Sequence, residues 1–395
     1  MLTGTPFHSR TSALCQAQNW RRWAGYLVAG SYELTHEREY YAIRSAAALI
    51  DVSPLFKYRV SGPDAARLLD RVVTRNVARC AVGQVLYTPW CDAAGKVIDD
   101  GTLQRLDERT FRLTAAEPNL RWLHHNALGL KVEIADESDA VAALALQGPA
   151  AREILTQVSE ADVDGLRYFR LLSTHLQNIP VTLSRTGYTG DLGYEIWVDA
   201  AQAGPLWDAL VQGGAPFGLT PAGMAALDIA RLEAGLVLIG VDYVSAQHAL
   251  IEAQKSSPLE LGLGWTVDLD KESFVGRAAL REEQRRGPAW ALVGLEIEWA
   301  ALEKLYQAVK LPPQVPNTVW RTSVPVYAGR RQVGYATSGG WSPLLKKYIA
   351  LAHVEARLAQ PGAPLTLEVT VEHRRQQAAA HVVKTPFFDP ERKRA

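Results

Sequence analysis

The character of the chain changes near Gly240, and that change restricts the folds open to it more than any other feature. Upstream, segments with helical spacing alternate with short strand-like runs. Downstream, strand-like segments such as Trp290-Ala291-Leu292-Val293-Gly294-Leu295 and residues 364–371 are joined by Gly/Pro turns. The pattern reads as an α+β body followed by a β-rich, barrel-like C-terminal domain. At 395 residues, 48% of them apolar, the chain is too long for one ordinary core, so two or three domains are expected.

Residues 36–50 contain no Gly or Pro and show helical spacing, so a helix is expected across them. Residues 56–60 alternate like a strand, Ser61-Gly62-Pro63 turns the chain, and Asp64 is placed to cap a helix running from Ala65 to Val73. Strands are expected at 84–87 and 102–106, around the turn Asp92-Ala93-Ala94-Gly95. A helix at 118–128, a buried strand at 141–146 and a helix at 150–157 follow. Strands at 181–183 and 194–198 flank a glycine-rich turn, and helices are expected at 203–211 and 221–235.

Composition removes several function classes. The 42 basic and 42 acidic residues cancel, so charge makes no case for nucleic acid or an anionic membrane, and any attraction for an anion must be local. Cys15, Cys80 and Cys91 form no CxxC pair, and an odd, low count fits a reducing cytoplasm. Residues 1–23 are polar and interrupted, and no later stretch reaches membrane-spanning length. The expectation is a cytoplasmic protein without a membrane partner. None of the nine histidines sits in HExxH or another recognised metal-ligand spacing, so no metal is expected; His124-His125 read as helix surface. There is no GxSxG elbow and no GxxxxGK[ST] loop.

Four segments carry candidate chemistry. After Tyr87-Thr88-Pro89-Trp90 comes Gly95-Lys96-Val97-Ile98-Asp99-Asp100. Adjacent carboxylates on a strand face opposite ways, one into a cleft and one outward. By residue type alone, a hairpin with solvated aspartates is the better account. In the stretch 185–196, three glycines allow close backbone approach, Tyr188 and Tyr194 offer stacking faces, and Glu195 lies in an apolar strand. Such a carboxylate wants two parallel N–H donors, as on the amino-pyrimidinone edge of a pterin; a salt-bridged structural turn is an equal reading. Asp228 and Arg231 share a helix face, where Arg231 either holds a ligand carboxylate in a fork or forms an internal ion pair. Gly262 and Gly264 make no dinucleotide fingerprint, and Trp265 beside them reads equally as core.

Taken in order, these segments resemble the aminomethyltransferase (glycine-cleavage T-protein) family over nearly the whole chain. The motifs are Asp51-Val52-Ser53, Val97-Ile98-Asp99-Asp100, Leu146-Gln147-Gly148-Pro149, Gly187-Tyr188-Thr189-Gly190 and Gly193-Tyr194-Glu195-Ile196. They continue with Arg231-Leu232-Glu233-Ala234-Gly235, Gly264-Trp265, Val275-Gly276-Arg277, Thr337-Ser338-Gly339, Ser342-Pro343 and Lys384-Thr385-Pro386. The resemblance implies a three-lobed fold with tetrahydrofolate in a central channel. The lobes would be residues 1–50 with 138–240, residues 51–137, and a barrel-like lobe at 241–395. It implies a catalytic role for Asp100 and a pterin-binding role for Glu195. It further implies aromatic contacts to the cofactor from Tyr87, Tyr188 and Trp265, and a place for Arg231 near the cofactor's glutamate tail.

Several positions depart from the glycine-cleavage pattern. Pro54-Leu55 stand where His-Met is usual, Gly101 where a large apolar residue is usual, and Ala116 aligns with a folate-contacting asparagine. Leu227 replaces an arginine, and Asp191 a glutamate. These changes favour a tetrahydrofolate-dependent transferase acting on a small N-, O- or S-methylated substrate. The alternatives are a T-protein serving an aminomethyl-lipoyl carrier protein and a non-catalytic folate-binding accessory protein. The region 257–263 lacks the cysteine-containing signature of the accessory proteins, and no flavin domain is present.

Overall fold

The apolar run expected to carry a helix as far as Ile50 divides in two. The computed structural model, which describes residues 2–395, has a helix at Glu37–Ser45 and a strand at Ala47–Asp51. Helical geometry stops at Ala46 (φ −141°, ψ −114°). Every residue of the strand is buried: Ala47 and Leu49 enter one core, Ala48 and Ile50 another. A strand covered on both faces is an unbroken apolar run, which periodicity cannot separate from a buried helix.

This strand lies inside a six-stranded sheet ordered Leu171–Leu176, Ile179–Ser184, Gly193–Asp199, Val141–Gln147, Ala47–Asp51, Leu219–Pro221. Helices Ala151–Val158 and Ala203–Gly214 cover one face, Glu37–Ser45 and Met224–Glu233 the other. A second, antiparallel sheet runs Val85–Cys91, Val97–Arg105, Thr110–Ala115, Phe56–Ser61, Glu133–Asp136, covered by helices Ala65–Val72 and Leu120–Asn126. The first of these helices starts after Asp64 as expected. Its carboxylate does not cap the helix, however, and accepts instead from the backbone N–H of Lys131 at 2.8 Å. A small sheet of Thr3–Gly4, Tyr26–Ser31 and Asn19–Trp23 flanks the body.

The C-terminal part is a closed six-stranded barrel, ordered Trp290–Ile297, Lys347–Glu355, Arg331–Ser342, Val324–Ala328, Pro364–Val371, Arg374–Val383. Closure removes free sheet edges. The α+β class with a barrel at its end is therefore as expected, but the barrel strands begin at Trp290. Among the described residues, 241–289 form no strand. Leu261, Leu263, Phe274 and Leu280 from this stretch pack with Cys91 and Val97, covering the hairpin that carries the paired aspartates.

Body and barrel are joined by a buried carboxylate. Glu233 accepts from Tyr40 Oη and Ser342 Oγ, each at 2.5 Å, and from Arg44 Nη2 at 2.7 Å. Losing one partner of such a pair leaves an uncompensated charge and costs about 3–5 kcal/mol. Among the described residues no helix is long and apolar enough to cross a membrane.

Candidate active site

A cavity of about 1210 Å³ lies where the two large sheets, the segment 236–265 and the barrel meet. Tyr87, Asp100, Tyr188, Glu195, Arg231 and Trp265, the six residues to which the family resemblance gives a catalytic or cofactor-binding role, all line it.

Asp100 reaches the cavity from strand Val97–Arg105. Tyr87 Oη donates to its Oδ2 at 2.8 Å, and Tyr243 Oη donates to its Oδ1. Burial pushes the Asp100 carboxyl up from its ordinary range, while the hydrogen bonds from Tyr243 and Tyr87 oppose the rise. The neighbouring Asp99 does not face solvent, contrary to the hairpin reading. It is fully buried on the other side of the strand and accepts from the backbone N–H of Glu117 (2.9 Å), Asn119 Nδ2 (2.8 Å) and the backbone N–H of Asp100 (2.8 Å). The loop entering helix Leu120–Asn126 folds over the strand and supplies two of these donors, so the second carboxylate becomes an internal brace. Burial, and then the charge of Asp100, raise its pKa well above normal. Gly101 has a local reason: a Cβ there would stand 2.0 Å from the carbonyl oxygen of Thr114.

Glu195 lines the cavity from strand Gly193–Asp199. Thr186 Oγ1 donates to its Oε2 at 2.6 Å, and Ser184 Oγ lies 2.8 Å from the Thr186 hydroxyl. Burial raises this carboxyl too, with the Thr186 hydrogen bond opposing. The glycine-rich turn beside it is shaped mainly by Gln147. A Cβ at Gly187 would lie 2.1 Å from Gln147 Oε1, and one at Gly193 would lie 2.3 Å from Gln147 Nε2. The fully buried Gln147 donates to the carbonyls of Thr186 and Tyr194 and accepts from Thr189 Oγ1 at 2.7 Å. Those glycines border the cavity, but the close approach they permit is to an internal amide. Tyr194, expected to offer a stacking face, points the other way into the core of the six-stranded sheet and is fully buried. The strand alternation that aims Glu195 at the cavity aims its neighbour away.

The aromatic walls differ in kind. Trp265 is 63% exposed, so it is not core; its ring lies 6.1 Å from that of Tyr87 at 30°, with the Arg75 guanidinium 5.7 Å from its centroid. Tyr188 borders the cavity while its hydroxyl donates to the Val237 carbonyl.

Arg231 does not offer a free fork. Nε donates to Asp228 Oδ1 at 2.8 Å, and Nη1 donates to Asp242 Oδ2 at 2.6 Å and to Ser338 Oγ at 3.1 Å. The helical ion pair is therefore real. Burial acts to lower this guanidinium's pKa, but Asp242 and Asp228 outweigh it and the net shift is upward. Nη2 is buried without a hydrogen-bond partner among the described residues. Asp228 also accepts from Arg321 Nε at 2.7 Å, and Arg321 and Arg21 add positive charge to the cavity wall.

Sequence reasoning missed three residues that organise the site. Tyr243 carried no signal, since its contact with Asp100 spans 143 positions. Asp242, which takes hydrogen bonds from Arg231, Thr337 and Ser338, was equally silent. Gln147 could have been found as an amide at the end of an otherwise apolar strand, where burial demands partners.

The chain is similar to known proteins over most of its length. A family profile described as the GCVT N-terminal domain matches residues 7–271, and one described as the glycine cleavage T-protein C-terminal barrel domain matches residues 306–389. An aminomethyltransferase of Halothermothrix orenii is 36% identical, with 89% of this chain and 90% of that protein aligned. One from Streptomyces avermitilis is 38% identical over 89% and 88% respectively. A trimethylamine-oxide aldolase of Ruegeria pomeroyi is 33% identical and matches all of this chain, which spans 48% of that protein. The solved structure of the glycine cleavage system aminomethyltransferase T from Bartonella henselae superimposes with a TM-score of 0.83 at 25% identity, covering 98% of this chain and 99% of that one.

Proposed function

The chain belongs to the aminomethyltransferase family, and from that premise we propose that it moves a methyl group from a small N-, O- or S-methylated substrate to tetrahydrofolate. The coarser statement is established by membership: it is a tetrahydrofolate-dependent one-carbon transferase. One observation carries the finer one. Leu55, Gly101, Ala116 and Leu227, four positions that depart from the glycine-cleavage pattern, all line the cavity. At two of them a folate-contacting asparagine and an arginine are replaced by Ala116 and Leu227, so the cavity wall here is less polar than the glycine-cleavage pattern gives.

The residues present suit a reduced pterin with an anionic tail. Glu195 supplies a partly buried carboxylate for parallel N–H donors. Tyr188, and the Tyr87–Trp265 pair, supply flat apolar faces. Arg231, Arg21 and Arg321 in the cavity wall supply positive charge for a tail carboxylate. Asp100 is the group proposed to act on the reacting centre, as a carboxylate that receives a proton or stabilises developing positive charge. On the lobes proposed from the sequence, Glu195 belongs to the first (1–50 with 138–240), Asp100 to the second (51–137), and 241–395 completes the enclosure. Tetrahydrofolate contributes the one-carbon acceptor; the chain contributes orientation and exclusion of water.

A second reading has its own support: the relatives from Halothermothrix and Streptomyces are both named aminomethyltransferases. On that reading the donor is an aminomethyl group on a lipoyl carrier protein. Mass spectrometry of the folate products separates the two. Incubation with methylated amines, ethers and sulfonium compounds is expected to give methyl-folate. Methylene-folate formed only in the presence of an aminomethyl-lipoyl carrier overturns the methyl-transfer proposal.

A further inference from the structure

Tyr243 stands behind the wall of the cavity, 3% exposed, in an apolar cluster with Cys91, Val97, Leu261 and Phe274. Phenylalanine would fill that space without a polar atom to satisfy. A buried hydroxyl is unfavourable unless it is bonded, and this one donates to Oδ1 of Asp100. We infer that Tyr243 is a positioning residue for the one-carbon transfer, fixing the orientation and the charge state of Asp100 from outside the substrate cavity. The inference rests on the proposed role of Asp100 and adds to it a residue with no access to substrate.

Two features make the clamp directional. Tyr87 and Tyr243 take different oxygens of the carboxylate, Oδ2 and Oδ1, so together they fix its plane. Tyr243 is itself held: its carbonyl accepts from the Gly240 N–H at 2.7 Å, and it follows Asp242. The Asp242 carboxylate accepts from Arg231, Thr337, Ser338 and the backbone N–H of Leu238. The ring therefore hangs from a short loop bolted to helix Met224–Glu233 and to the barrel, whereas Asp100 belongs to the five-stranded sheet.

The chemistry follows from donor and acceptor roles. Each phenolic O–H bonded to a carboxylate favours its ionised form. Burial opposes ionisation of Asp100. Around it stand Asp99, on the other side of the strand, and the phenols of Tyr87, Tyr188 and Tyr243, whose own deprotonation the Asp100 charge disfavours. When Asp100 receives a proton, one O–H bond forms on its carboxylate and one bond from the reacting group to that proton breaks. No bond of Tyr243 is made or lost. Tyr243 sets how readily the step occurs and takes no part in the proton balance.

The test is Tyr243→Phe, assayed for turnover against pH with Asp100→Asn and the double variant alongside, and with tetrahydrofolate binding measured on each. A hydrogen bond to a charged group is worth about one to two pKa units. The acid limb of the pH–rate profile of Tyr243→Phe is therefore expected to move up by that amount, with folate affinity unchanged. In the Asp100→Asn background the same substitution should have no further effect on residual turnover. An unmoved acid limb with Asp100→Asn inactive overturns the role of Tyr243 alone. Full turnover by Asp100→Asn overturns the role of Asp100 itself. If Tyr243→Phe does not fold, Tyr243→3-fluorotyrosine, which keeps shape and strengthens the donor, should move the limb down; no movement overturns the inference.

Discussion

Tyr87 and Asp100 sit diagonally across an antiparallel pair, Asp100 opposite Pro89 and Tyr87 opposite Thr102, and the phenol donates to the carboxylate at 2.8 Å. The diagonal brings both side chains to the same face of the hairpin, toward the cavity. On the proposed assignment, Asp100→Asn keeps this shape and removes the charge. The expected outcome is a loss of about 10²–10⁴ in kcat, the range typical of a positioned acid or base, with folate affinity unchanged. Steady-state kinetics beside equilibrium folate binding would show it. Wild-type turnover would take Asp100 out of the mechanism.

Glu195→Gln divides the roles differently. The amide oxygen still accepts from Thr186, so the local fold survives. What goes is the charge proposed to meet the pterin's N–H donors. A charged hydrogen bond is worth about 1.5–3 kcal/mol, so folate should bind about 10- to 100-fold more weakly, with little change in melting temperature. Titration calorimetry would measure it, and unchanged affinity would move the pterin site elsewhere.

Gly187 and Gln147 form a steric pair. Gly187→Ala brings a Cβ to within 2.1 Å of the Gln147 side chain and must displace either the amide or the turn. Overpacking of this kind typically costs about 1–3 kcal/mol and here should also weaken folate binding. Gln147→Ala removes the obstacle. The double variant is therefore expected to be more stable than the sum of the single effects predicts, a coupling readable by urea unfolding. Strict additivity would mean that the glycine serves something other than the amide.

How legible all this was depends on the range of the contacts involved. Most elements could be read locally: the strand Pro364–Val371 coincides with its expected span, and the Asp228–Arg231 pair follows from helical spacing. The strand Ala47–Asp51 was hidden because burial on both faces removes the alternation that marks a strand. The burial of Asp99 was hidden because its donors come from a loop some 20 positions away. The commitment of Arg231 to Asp242 depends on a turn that only the folded chain brings back to its helix. Residue types along the chain therefore disclose which groups could act, whereas long-range contacts decide which of them are left free to do so.

Lys57 offers a pH test independent of activity. It is fully buried in strand Phe56–Ser61, and Nζ donates to the carbonyls of Ser53 (2.7 Å), Leu55 (2.8 Å) and Ser138 (3.2 Å), where the two sheets join. Burial pulls its pKa down from 10.5 to about 8, with Asp51 opposing. Above pH 8 the folded protein sheds this proton while the unfolded chain keeps it up to about 10.5. The unfolded state then binds more protons, so the contribution of Lys57 to stability rises with pH across that window, by at most about 1.4 kcal/mol per pH unit, and is flat below it. Lys57→Met abolishes the titration and leaves three carbonyls without their donor. The stability difference, wild type minus variant, should thus be flat below pH 8 and shift in favour of wild type between pH 8 and 10.5. Paired urea titrations on either side of pH 8 measure that margin, and a difference that stays constant would mean that the ammonium remains charged in the folded state throughout.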